Sequence, residues 1–158
     1  MQLLFKQRLF SWFDSYDIYD EFGGTAYTVK GKMSWGHCLE IYDCEGNHVG
    51  TIKEEVLTLL PRFAMYLGDE YIGQIKKEFT LFRPSFHLDC NGWQVQGNWL
   101  EWDYEVTDAL GGLVMHASKE VMRLTDTYVL DIARPEDALL CLMIVLAIDA
   151  AKCSGGKG

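Results

Sequence analysis

A repeat of about 23 residues constrains the fold of this chain more than any other feature of its sequence. An apolar residue followed by lysine recurs at Val29-Lys30, Ile52-Lys53 and Ile75-Lys76. Each pair follows a turn rich in glycine or acids, and Lys6 lies one further step upstream. A unit of this length with one turn in its middle is typical of a β-hairpin and its connection, because helical repeats are normally longer.

The second part of the repeat is a hydroxyl residue between two bulky apolar ones. It occurs as Phe10-Ser11-Trp12, Met33-Ser34-Trp35, Leu57-Thr58-Leu59 and Phe79-Thr80-Leu81. Period-two alternation supports strands, and in the segment 99–106 it predicts Trp99, Glu101, Asp103 and Glu105 on one face and Leu100, Trp102, Tyr104 and Val106 on the other. The pattern predicts about twelve strands, near 2–10, 16–20, 25–32, 37–43, 48–54, 62–67, 70–77, 85–89, 93–97, 100–107, 112–118 and 127–132.

The C-terminal region has a different character. Pro135 and the acids after it are typical of a first helical turn, and 138–148 is a run of eleven apolar residues. A helix that is apolar on every side must be surrounded, and a closed sheet of about twelve strands has room for it. We therefore predict a mainly β fold, an antiparallel barrel that encloses one hydrophobic C-terminal helix, as a single domain over 1–152 with a flexible tail at 153–158. The prediction requires deep burial of Leu142, Ile144, Val145, Leu146 and Ile148, with Asp149 at the end of the barrel near solvent or a hydrogen-bond partner.

Several segments resemble the LURP-one-related family, which belongs with the tubby C-terminal-like and phospholipid scramblase-like barrels. They are the opening KQRLFSWFDSYDIYDEFGG, the segments VKGK and IKK of the repeat, and the ending DTYVLDIARPEDALLCLMIVLAIDA. The resemblance covers nearly the whole chain and implies a twelve-stranded antiparallel barrel around a C-terminal helix. It also implies no established enzymatic activity. Relatives suggest association with phosphoinositides or membranes, and calcium dependence in the scramblases.

Charge and cysteine content restrict the partners. The formal net charge of -9 argues against nucleic acid, whose binding depends on neutralising phosphates. The N-terminus has charges among its apolar residues and does not predict a secretory signal. Five cysteines at irregular spacing indicate reduced thiols and a cytoplasmic location, with peripheral contact to the membrane as an extension of that prediction.

Candidate catalytic and metal sites have simpler explanations as structural residues. His37 and Cys38 are expected roughly 20 Å from the turn that holds Cys44, at about 3.3 Å per residue, so these residues and His48 do not predict a zinc site. The carboxylates of Glu101, Asp103 and Glu105 fit the solvated face of a strand. A calcium site among Asp126, Asp131, Glu136 and Asp137 lacks the dense oxygen ligands that calcium needs. We predict no catalytic residue, no metal and no cofactor.

The lysines of the repeat form the remaining candidate, which we call the lysine stripe: Lys6, Lys30, Lys53 and Lys76. If the order of strands in the sheet follows the sequence, these lysines recur about every 10 Å. With Lys32, Lys77, Arg62 and Arg83 they could bind anionic lipid headgroups, or they could be a solvated face that discourages edge aggregation. The leading hypothesis is a non-catalytic cytosolic binding or scaffold domain whose partner is an anionic membrane lipid or a protein. The alternative is a membrane-tethered, scramblase-like protein whose C-terminal helix leaves the barrel, although that helix is short for a span of about 20 residues.

Overall fold

A computed structural model describes residues 1–6, 15–79, 84–120 and 127–154, which form an antiparallel barrel closed around one helix. Strands that are consecutive in sequence are neighbours in the sheet, and β1 pairs with β12 to close it. The described strands are β1 Gln2–Lys6, β2 Ser15–Asp20, β3 Thr25–Lys32, β4 Cys38–Asp43, β5 His48–Glu54, β6 Arg62–Leu67, β7 Glu70–Phe79, β8 Pro84–Leu88, β9 Gln94–Asn98, β10 Asp103–Thr107, β11 Leu113–Glu120 and β12 Thr127–Ile132. A 3-10 helix, Pro135–Asp137, leads directly into α1, Ala138–Ser154.

The predicted fold class is confirmed, and one strand needs correction. The strand predicted at 100–107 begins only at Asp103, because residues 99–102 form a turn in which Trp102 adopts a left-handed φ of 59°. Faces do not alternate through a turn. Trp99, predicted on the solvent face, is therefore only 7% exposed, whereas Leu100, predicted on the core face, is 64% exposed. Residues 7–10 of the first predicted strand lie outside the described residues.

Helix α1 is buried on every side, as its sequence predicts. Each residue from Cys141 to Ala151 is buried, although successive side chains point in different directions around the helix. Leu142, Ile144 and Ile148 are completely inaccessible, and Val145 and Leu146 are nearly so. Only an enclosing sheet can bury all of these directions at once, so the apolar run of the helix and the one-sided strands require each other.

A glycine in β5 allows the helix to approach the barrel wall. A Cβ atom at Gly50 would lie 2.5 Å from Cε of Met143 in α1 and 3.1 Å from the carbonyl oxygen of Tyr66 in β6. The first approach would force Met143 to shift, and the second would be a tight contact with the backbone of β6. The missing side chain therefore leaves room for Met143 in the core.

The turns at one end of the barrel share one design. Oδ1 of Asp20, Asp43 and Asp108 each accepts hydrogen bonds of 2.8–2.9 Å from the backbone N–H groups two and four residues further on. Such side-chain caps stabilise tight turns, and Gly46 in one of them takes the left-handed φ of 85° that favours glycine. Because α1 also begins at this end, after two acids of the 3-10 helix, we call it the acidic end.

The opposite end carries the connections 33–37, 55–61 and 99–102, since each follows a strand that runs away from the acidic end. Helix α1 ends here. Nζ of Lys152 lies 4.4 Å from the ring centroid of Trp102 and 3.5 Å from the carbonyl oxygen of Leu100. We call this the helix-exit end.

Candidate functional site

The barrel places the lysine stripe on alternate strands, β1, β3, β5 and β7. The preceding residues Val29, Ile52 and Ile75 are buried in the core, so the alternation of a strand directs Lys30, Lys53 and Lys76 outward. Lys6 pairs with Thr127 across β1 and β12, and its side chain lies outside the described part of the chain. The strand order assumed in the sequence analysis is the observed one, and the binding role of these lysines stays a prediction.

Most of the described lysines in this region already have partners. Lys32 forms an ion pair with Glu40, and Nζ of Lys30 lies 4.5 Å above the ring of Tyr42. Nζ of Lys76 is 3.2 Å from Oδ2 of Asp89. Burial acts to raise the pKa of Asp89, but hydrogen bonds from Gln74 and Lys76 lower it below its usual value.

A surface cleft at the edge of the helix-exit end is lined by three cations and two leucines. It has a volume of about 510 Å³ and is lined by Leu59, Leu60, Arg62, Lys76, Lys77 and Glu78, and we call it the cationic cleft. Arg62 and Lys76 face each other in the register of β6 and β7. Nζ of Lys77 lies 5.1 Å from the ring centroid of Trp99, and Glu78 is 2.9 Å from Nδ1 of His87. Lys77 pairs with the buried Phe86 and so points away from the face that carries Lys76. The outward charge of the cleft therefore comes from Arg62 and Lys76, beside its two leucines.

A second cleft, of about 310 Å³, lies where β1 meets β2. Those strands pair only through Leu3 with Asp20 and Leu4 with Tyr19. Its charged lining consists of the carboxylates Asp20 and Glu21, which repel anions. Of the two clefts, only the cationic cleft has the charge to bind a phosphate.

The other predicted residues are dispersed over the barrel. His37 and Cys38 lie near one end of β4, and Cys44 and His48 lie near the other. Within the described residues, no three His, Cys, Asp or Glu side chains converge on a metal position.

The carboxylates considered for catalysis or calcium are equally scattered. Glu101 lies in a turn, Asp103 is 3.2 Å from Nε2 of His116, and Glu105 is exposed on β10. Asp137 forms a 2.8 Å ion pair with Arg134, and Asp131 and Glu136 are exposed. Asp126 and the tail residues 155–158 lie outside the described residues.

The surroundings of three thiols raise their pKa. Burial raises the pKa of the Cys141 thiol to about 12, with a smaller contribution from the charge of Asp137. Burial also raises the pKa of Cys38 and Cys90. Because the thiolate is the reactive form, none of these three cysteines is activated as a nucleophile.

Five exposed large apolar side chains lie in the connections 33–37 and 55–61 of the helix-exit end. Trp35 and Met33 are 88% and 87% exposed, and Leu57 and Leu59 are almost completely exposed. With Val56 we call them the apolar tips. Four of them are the apolar members of two triplets of the repeat, Met33-Ser34-Trp35 and Leu57-Thr58-Leu59. The place of these triplets in the fold was not predicted. Their position between predicted strands is the signal that could have identified them as hairpin connections.

Replacing Leu57 with glycine should stabilise the protein. Leu57 has a left-handed φ of 67° and gains no burial from it. That backbone region costs a side-chain-bearing residue about 1–2 kcal/mol, whereas glycine enters it freely but loses about 0.5–1 kcal/mol of entropy on folding. We expect Leu57→Gly to raise the free energy of unfolding in urea by about 0.5–1 kcal/mol. A decrease would show that Leu57 makes stabilising contacts despite its exposure.

Asp149 is a buried carboxylate inside the helix-exit end of the barrel. It is 7% exposed, and its Oδ2 atom has no hydrogen-bond partner among the described residues. Burial raises its pKa to about 6, against a smaller opposing effect of Lys152. Burial and the charge of Asp149 in turn raise the pKa of Tyr16 in β2 and Tyr104 in β10. Asp149 is thus further from solvent than its sequence position predicts.

The sequence profile of the LURP-one-related family matches residues 1–149. This chain belongs to the LURP-one-related family. The uncharacterized protein YxjI of Bacillus subtilis (strain 168) is 29% identical to it over 150 residues, which cover 94% of this chain and 92% of YxjI. An X-ray structure of a protein from Arabidopsis thaliana has the same fold, with a TM-score of 0.65 at 17% identity, and the match covers 94% of this chain and 89% of that one.

The LURP-one-related family and the barrel fold together indicate a binding domain. Since α1 fills the interior of the barrel, a ligand must bind on the outer surface or at an end. In the ranges that the structure describes, no helix has both the length and the apolar character to cross a bilayer. The alternative in which α1 leaves the barrel would expose an apolar surface that the strands now cover.

Proposed function

We propose that this chain is a non-catalytic binding domain that holds anionic phospholipid headgroups in the cationic cleft. The observation that carries the proposal is the outward pair of Arg62 and Lys76 in a cleft that two leucines also line. A phospholipid has the same two parts, a phosphate and an apolar chain. The cleft therefore fits a lipid better than it fits a free anion.

The surroundings of the cleft support an electrostatic role. Arg62 is exposed and forms no ion pair with any residue in the described part of the chain. Lys53 also has no such partner, and it adds positive charge beside the cleft because β5 adjoins β6. Lys76 is held by Asp89 at the surface, where an ion pair contributes little to stability and can be exchanged for a phosphate. Lys30 extends the positive charge along the lysine stripe.

Vesicle flotation tests this proposal directly. We expect binding to phosphatidylcholine vesicles that contain 20 to 30% phosphatidylglycerol or a phosphoinositide, and we expect salt to weaken it. Each cation near an anionic membrane contributes about 1 kcal/mol. Arg62→Gln and Lys76→Gln should therefore each weaken binding about fivefold, and the double variant about 25-fold.

Arg134→Gln is the matched control, because Arg134 lies at the acidic end and pairs with Asp137. Its vesicle affinity should equal that of the parent. Equal binding to neutral vesicles, or no binding at low salt, would contradict the proposal. Competition by inorganic phosphate alone, without vesicle binding, would show that the cleft binds free anions instead of lipid.

A further inference from the structure

We propose that the apolar tips insert into the headgroup region of an anionic bilayer, so that the barrel docks end-on with the C-terminus of α1 toward the lipid. This inference rests on the proposed function and adds a second, apolar mode of contact to it. Its starting point is the exposure of Met33, Trp35, Leu57 and Leu59, all at one end of the barrel. Contiguous exposed apolar groups on a soluble domain usually mark a contact surface.

The two connections that carry the tips contact each other. A Cβ atom on Gly36 would lie 2.8 Å from Cγ1 of Val56. The backbone N–H of Glu54 donates a 2.7 Å hydrogen bond to the carbonyl oxygen of His37, whose own N–H donates to Oε2 of Glu54 at 3.0 Å. The connections 33–37 and 55–61 therefore form one surface.

The longer connection is also attached to the sheet behind it. The N–H of Glu55 donates to the carbonyl oxygen of Arg62 at 2.9 Å, and the N–H of Lys77 donates to that of Pro61 at 3.1 Å. Leu57 keeps its left-handed backbone in this held connection while its side chain projects into solvent. A strained residue that gains no packing is a feature of functional surfaces. Little ordering entropy would be lost on contact, since the tips are already arranged.

The distribution of charge identifies a membrane as the partner of this surface. Lys32, Lys53, Arg62 and Lys152 lie at or near the element ends that meet at the helix-exit end. Of the acids at the same end, Glu54 accepts a hydrogen bond from His37 and Glu55 accepts one from Gln74. The exposed acids there are Glu78, Glu101, Asp103 and Glu120. The acidic end, in contrast, carries these acids: Asp20, Glu21, Asp43, Glu45, Asp69, Glu70, Asp108, Glu136 and Asp137.

The helix-exit end is therefore the less negative of the two, so an anionic surface orients the molecule with that end toward it before insertion. Tryptophan and cations together are typical of residues at a membrane interface. A second copy of the chain fits this surface less well. In a symmetric dimer through the apolar tips, Lys32, Lys53 and Arg62 would approach their own equivalents.

Trp35 allows insertion to be measured separately from binding. Trp93, Trp99 and Trp102 are buried, so Trp35 is the exposed indole among the described tryptophans. We expect a blue shift of its emission in phosphatidylglycerol-containing vesicles and quenching by lipids brominated in the acyl chain near the headgroup. The signal of a Trp35→Ser variant, subtracted from that of the parent, removes the contribution of all other tryptophans, including Trp12.

Leu57→Gly separates membrane contact from folding. Its vesicle affinity should fall about tenfold, from the lost apolar contact, while its stability in urea rises. Leu110→Gly is the matched control, because Leu110 is equally exposed but lies at the acidic end. Its vesicle affinity should not change.

The outcomes distinguish this inference from the proposed function. Vesicle binding that depends on Arg62 and Lys76, with unchanged Trp35 emission and no quenching, would leave the proposed function intact and overturn insertion. Absence of binding to every vesicle would overturn both. Dimerisation in light scattering that Trp35→Ser abolishes, without any effect on vesicle affinity, would assign the apolar tips to a second copy of the chain.

Discussion

Replacing Leu142 with alanine should lower the free energy of unfolding by about 2–5 kcal/mol, the range for large-to-small changes in a rigid core. Leu142 is completely buried in the middle of α1 and is surrounded by the barrel. A closed sheet cannot collapse onto a single missing side chain without moving its hydrogen-bonded neighbours. We therefore expect the cavity to persist and the cost to lie in the upper half of the range. Urea denaturation, monitored by the fluorescence of the buried tryptophans, measures this change in the free energy of unfolding.

Two controls show whether the loss of stability in Leu142→Ala comes from the enclosure of Leu142 by the barrel. Leu110→Ala removes the same atoms from an exposed turn, and Lys53→Ala removes a solvated side chain of the lysine stripe. Both should change stability by less than about 0.5 kcal/mol. For a domain of this size, about 2–5 kcal/mol corresponds to roughly 4–20 °C in melting temperature. A Leu142→Ala protein that melts within a degree of the parent would contradict burial of α1 on all sides.

The fold could be predicted because two independent patterns require the same arrangement. The repeat of Lys30, Lys53 and Lys76 indicates hairpins of constant length, and such hairpins place consecutive strands side by side. The run from Ala138 to Ile148 indicates a helix that needs covering on every side. The prediction was wrong where a turn interrupts the alternation. At Trp99 and Leu100 the residue pattern of a strand continues, although the backbone already turns.

The candidate site was only partly accessible from the sequence. Lys76 could be placed on the outer face, but its contact with Asp89 depends on the offset between β7 and the turn after β8. Trp35 and Leu57 have the residue types of a core, and only the length of their connections excludes them from it. The burial of Asp149 could not be predicted for a similar reason. Its position in α1 is clear from the sequence, but how far the strands extend around it depends on the shape of the barrel.

The pH dependence of stability should reveal the buried charge of Asp149. Burial raises the pKa of this carboxyl from 3.8 in the unfolded chain to about 6 in the folded protein. Between these values the folded state holds a proton that the unfolded state has lost, so stability falls as pH rises. A difference of about two pH units corresponds to about 3 kcal/mol, which is lost between roughly pH 4 and pH 6.5. Above that window the folded protein carries the full cost of a buried carboxylate.

Asp149→Asn removes the contribution of this carboxyl to the pH dependence of stability, because the amide has nearly the same shape and does not ionise. Urea denaturation of both proteins at intervals from pH 4 to pH 8 gives the difference in stability at each pH. All other titrating groups are shared, so they cancel in that difference. Between roughly pH 4 and pH 6.5 the variant should gain about 3 kcal/mol of stability relative to the parent. At higher pH the difference in stability should stay constant. Parallel profiles would mean that the carboxylate is solvated in the folded protein. A shift of opposite sign would mean that Tyr16, Tyr104 or Lys152 stabilises its charged form.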